Sequence, residues 1–225
     1  AFHCRSQRGM TRATTVFLIR HAAHDRVGDT LCGRMPGVVL GEAGRSQAEA
    51  LARWMAQEGA DMLYASPLER ARQTGEAIAR RLGIGMEISE ALMEIDCGAW
   101  TGRSFGDLEA DPRWTEWNEA RATARIPGGE SMMQVQARAV AELVRLRDNH
   151  PGARIALVSH ADVIKAVLAA FLGLPLDQRQ RQMCIRDSFE IAPASCSTLV
   201  LWPGGAAGGG KLLNLNHRTG ENSAA

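Results

Sequence analysis

Thr15-Val16-Phe17-Leu18-Ile19-Arg20-His21-Ala22 is the stretch that decides the fold of this 225-residue chain. It begins with a short, continuous run of apolar residues, β-branched and aromatic, which predicts a β-strand buried on both faces, as in a parallel sheet. Arg20 and His21 follow at the carboxyl end of this strand, where ligands bind in open α/β sheets. Arg20 offers a fork of donors that suits phosphate or carboxylate. His21 can serve as a nucleophile or a proton carrier near neutral pH.

The composition is that of a globular protein, with 45% hydrophobic and 23% charged residues and a formal net charge of +1. This near balance gives no support for a nucleic-acid or membrane partner. No apolar run approaches the roughly 20 residues of a membrane span, and residues 1–13 lack the apolar centre of a secretory signal. The cysteines are odd in number and widely spaced, which predicts free thiols and a cytoplasmic location; they are Cys4, Cys32, Cys97, Cys184 and Cys196.

We expect one domain over residues 14–217, a disordered N-terminal extension over residues 1–13 and a C-terminal tail over residues 218–225. Residues 1–9 precede a methionine that could be the natural start. Met183–Ser188 interrupts a sensible loop-to-strand passage, and its sequence can be encoded by part of a common sequencing-library adapter. We hypothesise that these six residues are an assembly artefact that lowers stability without removing the active site. Finding the same codons in genomic DNA would disprove this origin.

A second predicted strand leads into Ser66-Pro67-Leu68-Glu69-Arg70. Ser66 as N-cap and Glu69 as its capping-box partner predict that a helix begins here. Arg70 would then lie in or just past the first helical turn, where a cation is unfavourable. Its position favours a site in which the helix end and the arginine share an anion. The alternative is a solvated arginine paired with Glu69 or Glu76.

The sequence pattern from residue 105 onward predicts both helices and strands. Phe105–Ala122 is expected to be helical, with an interruption at Pro112. Further on, Phe189–Ile191 and Thr198–Trp202 are predicted strands, and Leu212–Leu215 is predicted to close the sheet as an edge strand.

Arg154–Ser159 is another predicted buried strand of the parallel type, and His160 follows at its carboxyl end. We therefore expect two imidazoles and two guanidiniums to converge at one edge of the sheet. Histidine is a common metal ligand, but a catalytic zinc site usually needs three ligands, and Arg20 would repel a cation. An anion fits better, and phosphate fits best.

A phosphate site of this kind suggests a route for phosphoryl transfer. A histidine nucleophile could take the phosphoryl group as a phosphohistidine, and a carboxyl group would protonate the leaving oxygen. Glu94 is the candidate acid, because it lies in Leu92–Gly102, an irregular segment expected to cover the site. The alternative for Glu94 is an ordinary surface carboxylate.

These motifs resemble the histidine phosphatase superfamily, in its phosphoglycerate mutase-like branch (branch 1), over roughly residues 14–217. Arg20-His21-Ala22 is similar to the family's R-H-G, with alanine in place of glycine. Arg70 lies in a segment similar to S-P-L-x-R-A-x-Q-T. Glu94 begins a segment similar to E-x-x-x-G-x-W-x-G, and His160 lies in one similar to V-S-H-G-G. Pro127-Gly128-Gly129-Glu130-Ser131 also resembles a family motif.

The resemblance implies a three-layer α/β/α sandwich with a mostly parallel central sheet. It also implies a covalent mechanism that uses no metal and no other cofactor. His21 would attack phosphorus, and Glu94 would act first as acid and then as base for water. The phosphoryl oxygens would be held by Arg20, Arg70 and His160. Further candidates for phosphate or substrate contact are His24, Arg34 and Ala161.

The implied substrate is a small phosphomonoester. Family mutases carry a longer insertion after the acid, with an N-E-R-x-Y-G type motif that this chain lacks, so hydrolysis is favoured over a phosphoglycerate-type phosphomutase. A non-catalytic module that binds phosphate or phosphoprotein is a second alternative, since some relatives have lost catalytic residues. Asp162 stands where the family has glycine. Its charge would weaken binding of anionic substrates or select one with a cationic group.

Overall fold

The computed structural model describes residues 12–26, 28, 30–176, 190–204 and 209–219. Six strands form one sheet, namely β1 (Thr14–Arg20), β2 (Met62–Ala65), β3 (Glu87–Ile88), β4 (Arg154–Ser159), β5 (Ser195–Leu201) and β6 (Gly210–Arg218). The α-helices are α1 (Glu42–Glu58), α2 (Glu69–Leu82), α3 (Phe105–Glu109), α4 (Pro112–Glu119), α5 (Met132–Asn149) and α6 (Ala161–Leu172). The described residues exclude Met183–Ser188, all but two residues of the N-terminal extension and all but two of the C-terminal tail.

The sheet is mixed but mostly parallel. Its strand order is β3-β2-β4-β1-β5-β6. Strand β1 is parallel to β4, β4 is parallel to β2, and β2 is parallel to β3. Strand β5 runs antiparallel to β1, and β6 runs antiparallel to β5. All strands except β5 therefore point the same way, as predicted.

Strand β1 is buried on both faces, and its alternating side chains enter two separate cores. Val16 and Leu18 pack into a cluster formed with α5 and α6. Phe17 and Ile19 pack into a cluster formed with α1 and α2. Each of these four side chains stabilises the fold by about 1.5–3 kcal/mol through removal from water. Helices thus cover both faces of the sheet, and the predicted three-layer α/β/α sandwich is confirmed.

The capping box predicted at the start of α2 is wrong. The helix begins at Glu69 with Leu68 in the N-cap position and no side-chain cap. Ser66 Oγ lies 2.8 Å from His160 Nε2, and Glu69 Oε1 accepts a hydrogen bond from the Gly37 amide at 3.0 Å. Tertiary partners therefore compete successfully for both side chains that local spacing had assigned to the cap.

The strand predicted over Phe189–Ile191 is also wrong where the structure describes it, since Glu190 and Ile191 lie in no strand. The carbonyl of Ile191 accepts a hydrogen bond from Arg20 Nη1 at 2.6 Å instead of pairing in the sheet. The other two late strands are confirmed, because β5 and β6 cover most of the predicted ranges.

Pro112 separates two helices in place of one interrupted helix. Helix α3 ends at Glu109, and Pro112 is the first residue of α4. The Asp111 side chain caps α4 by accepting from the Arg113 amide. Proline is tolerated at this first position because its missing N–H would have no helical partner there.

Two further sequence expectations concern the described part of the chain. Among its helices, none has the length and apolar character needed to cross a membrane. Three of the five cysteines fall within it, and all three are free and buried; they are Cys32, Cys97 and Cys196.

Candidate active site

The register of two neighbouring strands brings the two predicted histidines together. Arg20 at the end of β1 lies opposite Ser159 at the end of β4, so His21 and His160 follow side by side. Their ring centroids are 5.0 Å apart. Arg70 reaches the same point from the first turn of α2, with its side chain buried. We call Arg20, His21, Arg70 and His160 the cationic floor.

His21 is held in the tautomer that a nucleophile requires. Its Nδ1 lies 2.8 Å from the Ala22 carbonyl oxygen, which can only accept, so Nδ1 carries the proton and Nε2 the lone pair. Arg70 Nε donates to that Nε2 at 3.2 Å. Burial, together with the charges of Arg70 and Arg20, holds the pKa of His21 well below its usual value. The imidazole is therefore neutral at physiological pH.

The hydroxyl of Ser66 contacts one ring nitrogen of His160. Ser66 Oγ accepts from the Leu68 amide at 3.3 Å and lies 2.8 Å from His160 Nε2. When this hydroxyl donates to Nε2, Nδ1 of His160 carries the proton and is a donor. Burial, followed by the nearby His21 and Arg70, lowers the pKa of His160 well below its usual value.

Three buried nitrogens of the cationic floor have no hydrogen-bond partner among the described residues. They are Arg20 Nε, Arg70 Nη1 and His160 Nδ1. The same arginines are anchored through other atoms, Arg20 to the Ile191 carbonyl and Arg70 Nη2 to the Gly33 carbonyl at 2.8 Å. A buried donor without a partner costs about 1–3 kcal/mol. Three of them around one imidazole indicate a site built for a ligand rich in acceptor oxygens.

A cavity of about 330 Å³ opens above this floor. Arg20, His21 and Arg70 line its base, and His24 and Glu94 line its sides. Leu31, Ile95 and Phe105 also line it and give it an apolar wall. The cavity therefore combines a cationic base with space for a small organic group.

Glu94, which lines the cavity, has the properties of a proton donor. Its Oε1 accepts a hydrogen bond from the Ile95 amide at 2.9 Å, which orients the carboxyl group. Burial and the negative charge of Asp162 raise the pKa of Glu94 to about 7. A carboxyl group with such a pKa can give up a proton near neutral pH and take one back.

Asp162 lines the cavity, as expected from its place in the sequence, but its carboxylate forms an ion pair with an arginine. Its Oδ1 pairs with Arg121 Nη1 at 3.0 Å. The Arg121 guanidinium in turn stacks over the Trp117 ring, 3.9 Å from its centroid. Asp162 thus links the cavity wall to the segment that follows α4.

The three further candidates have different places. His24 lines the cavity, with its ring centroid 5.6 Å from that of His21. Burial and the charges of Arg70 and Arg20 lower its pKa to about 4. Ala161 is the first residue of α6, directly after His160.

Arg34 is not among the described residues that line the cavity. Its guanidinium donates to the Glu94 carbonyl oxygen and to the Glu130 carboxylate, each at 2.8 Å. The structure therefore places Arg34 behind Glu94, and its expected contact with phosphate stays a prediction.

Sequence reasoning missed several supporting residues. Thr74 Oγ accepts from the Ala22 amide at 3.0 Å and donates to the Arg70 carbonyl at 2.8 Å, so it joins β1 to α2 below the floor. Glu130 and Arg138 hold the backbone beside Glu94. Thr74 and Glu130 both lie in quoted motifs, which was the available signal. In the described ranges, no three metal-ligating acids, histidines or cysteines cluster.

Comparison with known proteins decides the family. The model of the histidine phosphatase superfamily (branch 1) matches residues 16–207. The chain belongs to this superfamily. Phosphoserine phosphatase 1 of Hydrogenobacter thermophilus is 29% identical over 181 residues, covering 78% of this chain and 84% of that protein. Glucosyl-3-phosphoglycerate phosphatase of Mycobacterium tuberculosis is 33% identical over 176 residues, covering 73% and 78%.

The solved structures agree with the sequence comparison. A native mycobacterial glucosyl-3-phosphoglycerate phosphatase superposes with a TM-score of 0.80 at 26% identity, covering 92% of this chain and all of that one. The predictions of family, fold and enzyme class are therefore confirmed. This chain is a phosphoglycerate mutase-like histidine phosphatase.

Proposed function

We propose that this histidine phosphatase hydrolyses small phosphomonoesters through a phosphohistidine at Nε2 of His21. One observation carries the proposal. A neutral imidazole with its lone pair on Nε2 lies among three buried nitrogens that have no partner in the described residues. A phosphoryl group supplies the acceptor oxygens that Arg20, Arg70 and His160 would bind, and its phosphorus would then face the nucleophile.

The reaction would run in two steps. In the first, the Nε2 lone pair forms a bond to phosphorus, the ester P–O bond breaks, and the leaving oxygen takes the proton of Glu94. In the second, the Glu94 carboxylate takes a proton from water, the water oxygen bonds to phosphorus, and the P–N bond breaks. The cationic floor stabilises the charge on the phosphoryl oxygens in both steps.

The substrate is proposed to be a small phosphorylated metabolite. The relatives are named for phosphoserine and glucosyl-3-phosphoglycerate, and the cavity offers about 330 Å³. The Asp162 carboxylate at the cavity wall disfavours a second anionic group beside the phosphate. Transfer to a second substrate oxygen, as in a mutase, would need a bound acceptor in place of water.

We propose a cytoplasmic location without nucleic-acid or membrane partners. The near balance of charge supports it, as do the free thiols of Cys32, Cys97 and Cys196. The disordered extension and the single domain over residues 14–217 stay predictions.

The test is hydrolysis of p-nitrophenyl phosphate in excess chelator by the protein and by His21→Ala. We expect activity that survives the chelator, and a loss in kcat of at least about 10³-fold in the variant. His150→Ala is the matched control, because this histidine is the C-cap residue of α5 and is not among the described residues that line the cavity. The enzyme, denatured in alkali during turnover, should carry one acid-labile phosphoryl group on His21.

Loss of activity on chelation would overturn the proposed mechanism. Equal activity of His21→Ala and the parent would do the same. Phosphate binding without turnover in the parent would support the non-catalytic alternative instead.

A further inference from the structure

Glu130 accepts hydrogen bonds from three different segments of the chain. Arg34 Nη2 donates to its Oε2 at 2.8 Å, and the Asp96 amide donates to the same oxygen at 3.1 Å. Arg138 on α5 donates through Nε to Oε1 and through Nη2 to Oε2, each at 3.0 Å. Burial alone would raise the pKa of Glu130, but its bonds to Arg138 and the Asp96 amide and the charge of Arg34 lower it below the usual value. The carboxylate is therefore ionised.

The same two arginines also hold the backbone of the acid. Arg34 Nε donates to the Glu94 carbonyl oxygen at 2.8 Å, and Arg138 Nη2 donates to it at 3.2 Å. Arg138 Nη1 donates to the Ala91 carbonyl at 2.7 Å, one turn earlier. Glu130 thus holds in place two guanidiniums that both donate hydrogen bonds to the Glu94 carbonyl oxygen. Removing its charge would leave both arginines without the carboxylate that they share.

The turn that carries Glu130 is pressed against the acid's own segment. The Glu130 amide donates to the Asp96 carbonyl at 3.0 Å, and the Ala99 amide donates to the Pro127 carbonyl at 2.9 Å. A Cβ on Gly129 would lie 2.2 Å from the Asp96 carbonyl oxygen. Glycine is required at this position, because only a residue without a side chain permits that approach.

We infer that Glu130 is a positioning residue that holds the Glu94 carboxyl group at the leaving oxygen of the substrate through Arg34 and Arg138. The inference rests on the proposed role of Glu94 as proton donor. Glu130 itself is not among the described residues that line the cavity. Its effect is therefore on the placement of the acid and not on the binding of phosphate.

This role has a signature that general loosening of the fold would not produce. An alkoxide leaving group is strongly basic and needs the proton of Glu94, whereas p-nitrophenolate departs without one. Misplacing the acid should therefore slow phosphoryl transfer to His21 from an alkyl phosphate much more than from p-nitrophenyl phosphate. Loss of folded enzyme or of phosphate binding would slow both substrates alike.

The experiment compares kcat/KM of Glu130→Gln for p-nitrophenyl phosphate and for glycerol phosphate, because kcat/KM reports phosphoryl transfer to His21 and not the later hydrolysis of the P–N bond, which both substrates share. We expect kcat/KM for glycerol phosphate to fall about tenfold, and kcat/KM for p-nitrophenyl phosphate to fall less than about threefold. Glu94→Gln is the reference, and its kcat/KM should fall about 10²-fold for glycerol phosphate and much less for p-nitrophenyl phosphate.

Glu142→Gln is the matched control. Glu142 is a glutamate on α5, more deeply buried than Glu130, that accepts from Ser89 and from Arg145, and it does not line the cavity. We expect a lower melting temperature without any selectivity between the two substrates. Arg34→Lys is a second probe at a half-buried side chain of the loop between β1 and α1, and it should reproduce the selectivity of Glu130→Gln even if that variant folds poorly.

The outcomes separate the two proposals. Selectivity in Glu94→Gln without selectivity in Glu130→Gln or Arg34→Lys would overturn the positioning role and leave the function intact. No selectivity in Glu94→Gln would overturn the proposed proton donor itself. Equal selectivity in Glu142→Gln would show that the effect follows from destabilisation, and would also overturn the positioning role.

Discussion

The cationic floor and the acid segment, Leu92–Gly102, meet in one cavity but are built by different means. The floor residues follow strand ends or open a helix, so the backbone of β1, β4 and α2 places them. The acid segment has little secondary structure. It begins at the last residue of one short 3₁₀ turn, Glu90–Leu92, and contains a second, Gly98–Trp100. Side chains from elsewhere hold it, chiefly Glu130 with Arg34 and Arg138. Secondary structure thus positions the charge that we propose binds phosphate, and a polar network positions the proposed acid.

Of the changes that follow, a substitution in the cationic floor alone is expected to have the largest effect. Arg70→Lys should lower kcat/KM about 10²-fold for aryl and alkyl phosphates equally, because one ammonium cannot reproduce a fork that contacts His21, Gly33 and the phosphoryl group. Steady-state kinetics with both substrate types checks this. Arg72→Lys on the exposed side of the same helix should behave as the parent. A loss confined to alkyl phosphates would mean that the floor and the acid segment are not separable.

A smaller effect concerns acid stability. His21 and His160 are buried and uncharged in the folded protein, whereas in the unfolded chain they titrate near pH 6.5. Above that pH their contribution to stability is fully present. Below it the unfolded chain binds protons that the folded protein excludes, so the free energy of unfolding should fall by about 1.4 kcal/mol per pH unit for each histidine.

Urea unfolding at several pH values between 7.5 and 5.5 measures this slope. In His21→Asn the free energy of unfolding should change less steeply with pH, by the contribution of one histidine, about 1.4 kcal/mol per pH unit. Glu94 acts in the opposite direction, since its raised pKa makes stability fall as pH rises from about 4.5 to about 7. Identical slopes in parent and variant would show that His21 is not kept neutral by the floor.

The smallest expected effect is a change in the pKa of Glu94 without a change in its position. Glu94 must be protonated to act, so kcat/KM for an alkyl phosphate should fall as pH rises through about 7. In Asp162→Asn this alkaline limb should shift to lower pH by about half a unit, because the charge of Asp162 raises the pKa of Glu94. The substrate's own ionisation is common to both enzymes and cancels. An unmoved limb, with Asp148→Asn as control, would contradict the coupling.

The sequence predicted the floor better than the acid's surroundings. Arg20, His21, Arg70 and His160 converge as predicted, because each lies at the end of a strand or at the start of a helix whose hydrophobic pattern is clear. The hydrogen bonds of Arg34 were not predicted, because its partners, Glu94 and Glu130, are 60 and 96 positions away. The capping box failed for the same reason, since Ser66 contacts His160, 94 positions further on. Local spacing carries no information about such distant partners.

The sequence by itself determined that a doubly buried strand ends in Arg20 and His21, and that a second such strand ends in His160. Tertiary structure decided that β4 lies between β2 and β1, with Ser159 opposite Arg20. It also decided the tautomer of His21, through the Ala22 carbonyl. Strand order, register and hydrogen-bond direction depend on how the helices pack on both faces of the sheet, and only the folded chain brings those distant surfaces together.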